Sequence, residues 1–305
     1  MAEEKTALDR RIESGKALLL AEMSPPCGSD AAAVREAAKR FSGKVHALGL
    51  SDNRRRVCMS ALAASSFVAS EGVEPILHVV TRDRNRVALV SDYLGAAALG
   101  IRNLLCTTGT HQMLGRFRAA KNVFDVDSVQ LLRIFGELPR DASILGEQSI
   151  DGAGPVCLGA AADPMADPIE LQGVRVAKKV SAGAKFLVTA PVFDLERFDA
   201  WLDEVRRRGI HEKAGIVAGV RPLGDAEAAT AFAGQRPSPG VPDAILERIV
   251  SQDGPSAQRA ASIEIAVETI GRLSERSGLR GFQVCGDGDV DAALEIIEKS
   301  GLGIE

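Results

Sequence analysis

ALLLAEMSPP, residues 17–26, decides how the chain is read. Ala17 to Met23 is a short, nearly unbroken apolar run, the pattern of a strand covered on both faces. Pro25-Pro26 fixes the loop that follows. DAAAVREAAKRF (residues 30–41) then reads as an Ala-rich helix with its charges on one face, capped by Ser29 or Asp30. KVHALGL (residues 44–50) is a second strand and residues 56–70 a second helix. Outward from this unit the alternation repeats. Strands are expected at residues 74–81, 102–107, 156–161, 185–189, 215–219 and 281–285, and helices at 84–98, 128–136, 168–182, 195–208, 225–232, 242–251, 256–277 and 290–300. Eight strand-then-helix units, joined by right-handed crossovers, have the count and size of a closed (β/α)8 TIM barrel, an α/β fold. The rival is a doubly wound open sheet. It usually carries a glycine-rich phosphate turn after its first strand, and Glu22-Met23-Ser24-Pro25-Pro26 cannot form one.

Composition narrows the function. The 305 residues carry 37 Lys+Arg against 41 Asp+Glu, a net charge of −4, which offers no diffuse basic field for nucleic acid. Only 12 aromatics are present, too few for a broad base-stacking platform. No apolar run approaches the ~18 residues of a membrane span. The N-terminus is charged and amphipathic, without a signal-peptide core, so a cytoplasmic protein is expected. Five widely spaced cysteines with no CxxC argue against a zinc ribbon or an adjacent redox pair and read as buried or half-buried thiols. The expected organisation is one barrel domain over residues 1–305, with a short helical extension over about residues 1–15.

In a barrel the active site lies where strands end and the following loops begin. That rule selects Glu22, Ser51 to Asn53, His78 with Thr81, Thr107 to Thr110 with His111, Asp163, Thr189, Arg221 and Asp287. Glu22 is the sharpest candidate: against an apolar wall, desolvation would keep a carboxyl protonated and make it a proton donor near neutrality. A lone strand histidine such as His78 is more often structural than a ligand. Gly109 lies in a turn of small residues whose backbone N–H groups could receive an anion or a flavin edge. Arg82, Arg84 and Arg86 with Asp83 read as a solvated helix start. Asp287, Asp289 and Asp291 with Glu298 mimic a calcium loop, but Ala292 stands where that loop needs glycine, so a capped helix start is expected and no metal.

These segments resemble the methylenetetrahydrofolate reductase family. The likeness begins with Glu22 and Pro25-Pro26, the E-x-x-P-P segment. It continues through LSDN (50–53), PILHVVTRDRNR (75–86), LGIRNLLCTTG (99–109), AKNVFDVDSVQLL (120–132), KKVSAGAKFLVTAPVFD (178–194) and AGVRPL (218–223). It is closest to the short bacterial form that lacks a regulatory domain. The resemblance implies FAD at the strand C-termini and flavin-dependent reduction of 5,10-methylenetetrahydrofolate to 5-methyltetrahydrofolate, in one-carbon metabolism and methionine biosynthesis. It implies that Glu22 is the catalytic acid and that Ser51, His78, Gly109, Thr110 and Lys179 bind the cofactor. It further implies that Glu22, Thr110, Ala190 and Phe232 contact the folate. NAD(P)H or a partner redox protein is implied as electron donor, in a homo-oligomer or in a complex with a small zinc- or iron–sulfur-containing subunit.

Three departures stand out. Thr110 occupies a position that is usually Asp, and Ala190 and Ala228 stand where the family has glutamines that grip the folate. They keep a second function in view, a flavin-carrying electron-relay or non-catalytic subunit of a larger redox complex. A pterin-binding barrel that passes a methyl group to a corrinoid is permitted by the architecture alone, and Glu22 and His78 speak against it.

Overall fold

The computed structural model describes residues 5–304 except 55, 116, 142, 145–147, 152–153 and 287. In chain order the elements are α1 (Ala7–Glu13), β1 (Leu18–Met23), α2 (Ala31–Phe41), β2 (Ala47–Leu50), α3 (Ala61–Ser70), β3 (Pro75–Val80), α4 (Arg86–Ala98), β4 (Asn103–Thr107), α5 (Ser128–Asp141), β5 (Ser143–Ile144), β6 (Gln148–Ser149), β7 (Cys157–Ala162), α6 (Ile169–Ser181), β8 (Phe186–Pro191), α7 (Leu195–Arg207), β9 (Gly215–Val220), α8 (Ala226–Ala233), α9 (Asp243–Val250), α10 (Gly254–Ser274), β10 (Gly281–Cys285) and α11 (Val290–Lys299). Strands β1, β2, β3, β4, β7, β8, β9 and β10 pair in parallel and close on themselves, with β1 between β2 and β10. The expected (β/α)8 TIM barrel is the observed fold.

Two apolar layers hold it. Leu19, Ala21 and Met23 of β1 belong to the large layer between strands and helices, with Trp201, Phe198 and Phe135. Leu18 and Leu20 face the barrel interior with Ile76, Leu105, Phe186 and Val217. Helix α1 plugs the lower end of that interior. Leu8 joins the cluster, and the buried Asp9 takes two hydrogen bonds from Lys185 Nζ, at 2.8 and 2.7 Å.

Local bonding explains where elements begin. Asp30, Asn85, Asp194, Asp225 and Asp289 each accept a first-turn N–H as N-cap, so the acidic run near residue 289 starts a helix as its spacing requires. The helix expected from residue 56 starts only at Ala61. The Cys58 N–H is taken by Asn53 Oδ1 at 3.0 Å and the Met59 N–H by the Pro26 carbonyl at 2.8 Å, so residues 56–60 form a loop. The β5–β6 hairpin was not anticipated; two-residue strands carry no readable period.

Candidate active site at the barrel mouth

Strand alternation decides which side chains reach the mouth, because successive residues point to opposite faces. Leu18 and Leu20 face inward, so Glu22 is the next inward residue of β1. By the same count His78 follows Ile76, and Thr107 follows Leu105. All three line a cavity of about 460 Å³ at the C-terminal end of the strands, with Ser51, Asp52, Gly109, Arg175, Lys179 and Gln283 among its other walls. An outer chamber of about 390 Å³ adjoins it, walled by Phe232, Phe117, Gln235 and the 237–239 loop among others. Arg54, Arg82, Thr110, Asp163, Ala190 and Pro191 line both.

Glu22 is 7% exposed, yet its wall is not the apolar one expected. Oε2 accepts from Gln283 Nε2 at 2.6 Å and Oε1 from Arg54 Nη1 at 3.2 Å. Gln283 was missed by sequence reasoning, and its signal was a polar residue at an inward position of GFQVC. Arg54 was missed because nothing in its local sequence signals a partner 32 positions away.

His78 is buried, and burial holds its pKa below the usual histidine range, so the ring is neutral at neutral pH. Its Nε2 has no partner and lies 2.8 Å from where a Cβ on Gly49 would stand, so only glycine at 49 leaves the ring its place. Beside it, burial raises the pKa of Asp52 despite Arg84, and the Val80 N–H donates to Asp52 Oδ2 at 3.2 Å.

The other singled-out residues fall as follows. Ser51 Oγ donates to Ser24 Oγ at 3.0 Å. Gly109 has φ 84°, and a Cβ there would stand 2.7 Å from Val80 Cγ1. Lys179 Nζ donates to the Ala161 carbonyl at 2.6 Å, and burial lowers its pKa. Thr110 and Ala190 sit where the two chambers meet. The Phe232 ring packs edge-on against Phe193 at 5.7 Å, with the Arg221 guanidinium 4.2 Å over its centre. A bulge between Val188 and Pro191 turns β8 here, and Thr189 Oγ1 fills the broken ladder by accepting from the Gly219 N–H at 2.9 Å. His111 stands in the outer chamber and Asp163 at the seam; Ala228 lines neither chamber, and Asp287 lies outside the described residues.

The arginine run requires correction. Arg82 is 4% exposed, not solvated. It donates to both carboxylate oxygens of Asp83 (2.8 and 2.7 Å), to the Asn53 carbonyl (2.9 Å) and to the Thr110 carbonyl (3.2 Å). Arg84 pairs with Asp52 and Asp92, and Arg86 with Asp125. These cations tie the loops after β2, β3 and β4 into one rim.

Among the described residues, three buried polar atoms in the inner chamber's lining have no partner: His78 Nε2, Gln172 Nε2 and Gln283 Oε1. Each would cost about 1–3 kcal/mol if left unpaired. With Arg175 and Lys179 in the same lining, they give the chamber unsatisfied polar groups beside basic side chains, a chemistry that suits a polar, anionic ligand.

The family model for methylenetetrahydrofolate reductase matches residues 7–301. The chain belongs to that family. Among curated proteins nothing matches it. A Clostridium thermocellum protein described as binding two copies of 5-methyl-5,6,7,8-tetrahydrofolic acid is similar in structure. Its TM-score is 0.64 and its identity 12%, over 96% of this chain and 98% of that one. The long-chain alkane monooxygenase LadA is similar at TM-score 0.57 and 12% identity, over 95% of this chain and 92% of that one. DmoA from Hyphomicrobium sulfonivorans follows at 0.55 and 10%, over 95% and 90%. At these identities the likeness is one of fold. For the methylenetetrahydrofolate reductase family a folate-related, reductase-like function is the coarse assignment, and among the described residues no helix is long and apolar enough to cross a membrane.

Proposed function

We propose that the chain is one FAD-binding barrel domain that reduces 5,10-methylenetetrahydrofolate to 5-methyltetrahydrofolate in the cytoplasm, feeding methionine biosynthesis. The observation that carries this reading is Glu22, buried at the end of β1 in a cavity with three unpartnered polar atoms, within a chain of this family. FAD, when bound there, would supply hydride chemistry, with NAD(P)H or a partner redox protein as the electron source.

The residues then have these tasks. Ser51, His78, Gly109, Thr110 and Lys179 would hold the cofactor, with Arg175 adding positive charge to the same chamber. Neutral His78 can donate or accept at Nε2 without adding charge. Thr110 would add no negative charge beside the cofactor. Glu22 delivers a proton to N10 of the folate, opening its five-membered ring to the iminium that accepts hydride. For this the Glu22 carboxyl must carry a proton when the pterin is bound, and the side chain of Arg54, its partner at Oε1, is 40% exposed. Gln283 keeps its hold on Oε2 and aims the group. Phe232 packs against the folate, with Thr110 and Ala190 at the seam. Gln235, whose Oε1 is buried in the outer chamber without a partner, supplies an amide that Ala190 and Ala228 do not.

The test is an absorbance spectrum of purified protein with added FAD, then anaerobic reduction by NADH, NADPH or dithionite and addition of methylenetetrahydrofolate. Flavin bound and methyltetrahydrofolate formed is the expected result. No flavin absorbance and no FAD binding ends the proposal. The absence of a carboxylate or amide at Thr110 and Ala190 favours a second reading, the electron-relay subunit. Bound flavin that reduces and reoxidises without touching folate would select it.

A further inference from the structure

We propose that Cys27 and Cys58 are a redox-modification site, a thiol pair across the barrel rim that closes to an intrachain disulfide on reaction with a disulfide oxidant. The two Sγ atoms lie 3.7 Å apart, one in the loop after β1 and the other in the loop after β2. The expectation that all five cysteines are buried or half-buried fails at Cys27, which sits in an open loop. Cys27 is exposed and Cys58 half-buried, whereas Cys106, Cys157 and Cys285 are buried.

The backbone sets the meeting. The Met59 N–H donates to the Pro26 carbonyl at 2.8 Å, so the residue after Cys58 is bonded to the residue before Cys27. The Cys58 N–H is held by Asn53 Oδ1 at 3.0 Å, and Asn53 itself sits at φ 45°. The sulfurs therefore face each other because two loops are stitched together. A disulfide needs about 2.05 Å between sulfurs. Rotation of the exposed Cys27 side chain, with a small shift of its loop, supplies the approach. Among the described residues, the Cys58 thiol has a 3.5 Å contact with the Arg56 carbonyl besides its neighbour, a long bond that oxidation would give up at little cost.

The order of events follows from exposure. Burial, and then the neighbouring Cys27 thiol, raises the pKa of Cys58, which makes it a poor first nucleophile. Cys27 attacks the oxidant RSSR as thiolate, forms a bond to one RS group and expels the other as RS⁻. Cys58, on losing its proton, attacks Cys27 Sγ, forms the intrachain bond and expels the second RS⁻. Two protein thiols lose two electrons. RSSR gains them and, with the two thiol protons, leaves as two RSH. The bond ties the loop that follows Glu22 to the loop that carries Arg54 and Arg56, which line the outer chamber. Oxidation therefore fixes the rim through which the site is entered.

The experiment treats native wild-type protein with oxidised glutathione, quenches with iodoacetamide and maps peptides by mass spectrometry. In reduced protein Cys27 and Cys58 are alkylated and the three buried cysteines are not. After oxidation neither is alkylated, their peptides are recovered joined with the loss of two hydrogens, and dithiothreitol restores both. Cys58→Ser should stop at a glutathione adduct on Cys27. A wild-type protein that stops at that same adduct, or that leaves both thiols alkylatable, overturns the proposal. The readout needs no turnover, so it stands or falls apart from the folate reaction.

Discussion

Glu22→Gln tests the proposed proton delivery apart from everything else the side chain does. The carboxylate has two partners, Gln283 Nε2 at 2.6 Å and Arg54 Nη1 at 3.2 Å. Glutamine is the same size, and its oxygen can keep the Arg54 contact. Gln283 has an unpartnered Oε1, so by turning its amide over it can accept from the new NH2. Both contacts thus survive, with a neutral amide in place of the carboxylate. The loss of charge assistance, about 1 kcal/mol at a half-exposed arginine, is offset by the desolvation a buried carboxylate no longer bears. Stability and flavin affinity should therefore move by less than about 1 kcal/mol. The rate should fall ~10²–10⁴-fold, the worth of a positioned general acid, which is roughly 3–5 kcal/mol of barrier. The assay is single-turnover reoxidation of reduced protein by methylenetetrahydrofolate, followed at the flavin absorbance band, with a urea midpoint and an FAD titration alongside. An unchanged rate would refute the role of Glu22. A rate lost in step with FAD binding or with folding would refute it equally, since the residue would then be structural.

Three further outcomes are expected. Arg82→Met strips donors from the Asn53 and Thr110 carbonyls and from Asp83. It should cost about 2–4 kcal/mol, less than a fully buried ion pair because Asp83 is partly exposed, and a urea midpoint within error of wild type would show that the rim is not tied through this cation. Burial depresses His78 and His46 below the usual histidine range. The unfolded chain binds their protons below roughly pH 6.5 while the folded chain does not, so each histidine contributes stability that is present above that pH. It is lost as pH falls, at up to about 1.4 kcal/mol per unit, until the depressed folded value is reached. His78→Gln should flatten the dependence between pH 7 and 5.5 relative to wild type, and equal slopes in urea titrations would contradict the burial argument. In Gly159→Ala the new Cβ would stand 2.2 Å from Cζ of Phe186, a ring with no exposed surface. An overpacking loss of about 2–3 kcal/mol is expected in denaturant melts, and a neutral substitution would mean that the lower barrel layer is looser than its contacts imply.

Much of the barrel was legible because it rests on contiguous patterns. Runs such as ALLLAEM, KFLVT and GIVAG announce strands, and their length and alternation with Ala-rich amphipathic stretches fix the number of units. Period-two alternation then puts Glu22 and His78 on the inward face. The edges moved where side chains took backbone donors: Asn53 and Pro26 claim the N–H groups of Cys58 and Met59, and a helix expected from residue 56 begins five residues later.

The partners were not legible. A strand's own residues set its pattern and its inward face, because both depend on neighbours one to four positions away. Which groups meet across the mouth depends on the closure of the sheet and the seating of each loop. Gln283 reaches Glu22 from 261 positions away, and Arg54 reaches it from 32. Arg82, which local charge density made a surface residue, is buried because three loops present it with carbonyls and a carboxylate. Cys27 and Cys58 are ordinary thiols in the sequence and a 3.7 Å pair in the fold. The sequence alone determined the barrel and the strand ends where chemistry could gather; tertiary closure decided what each of those ends touches.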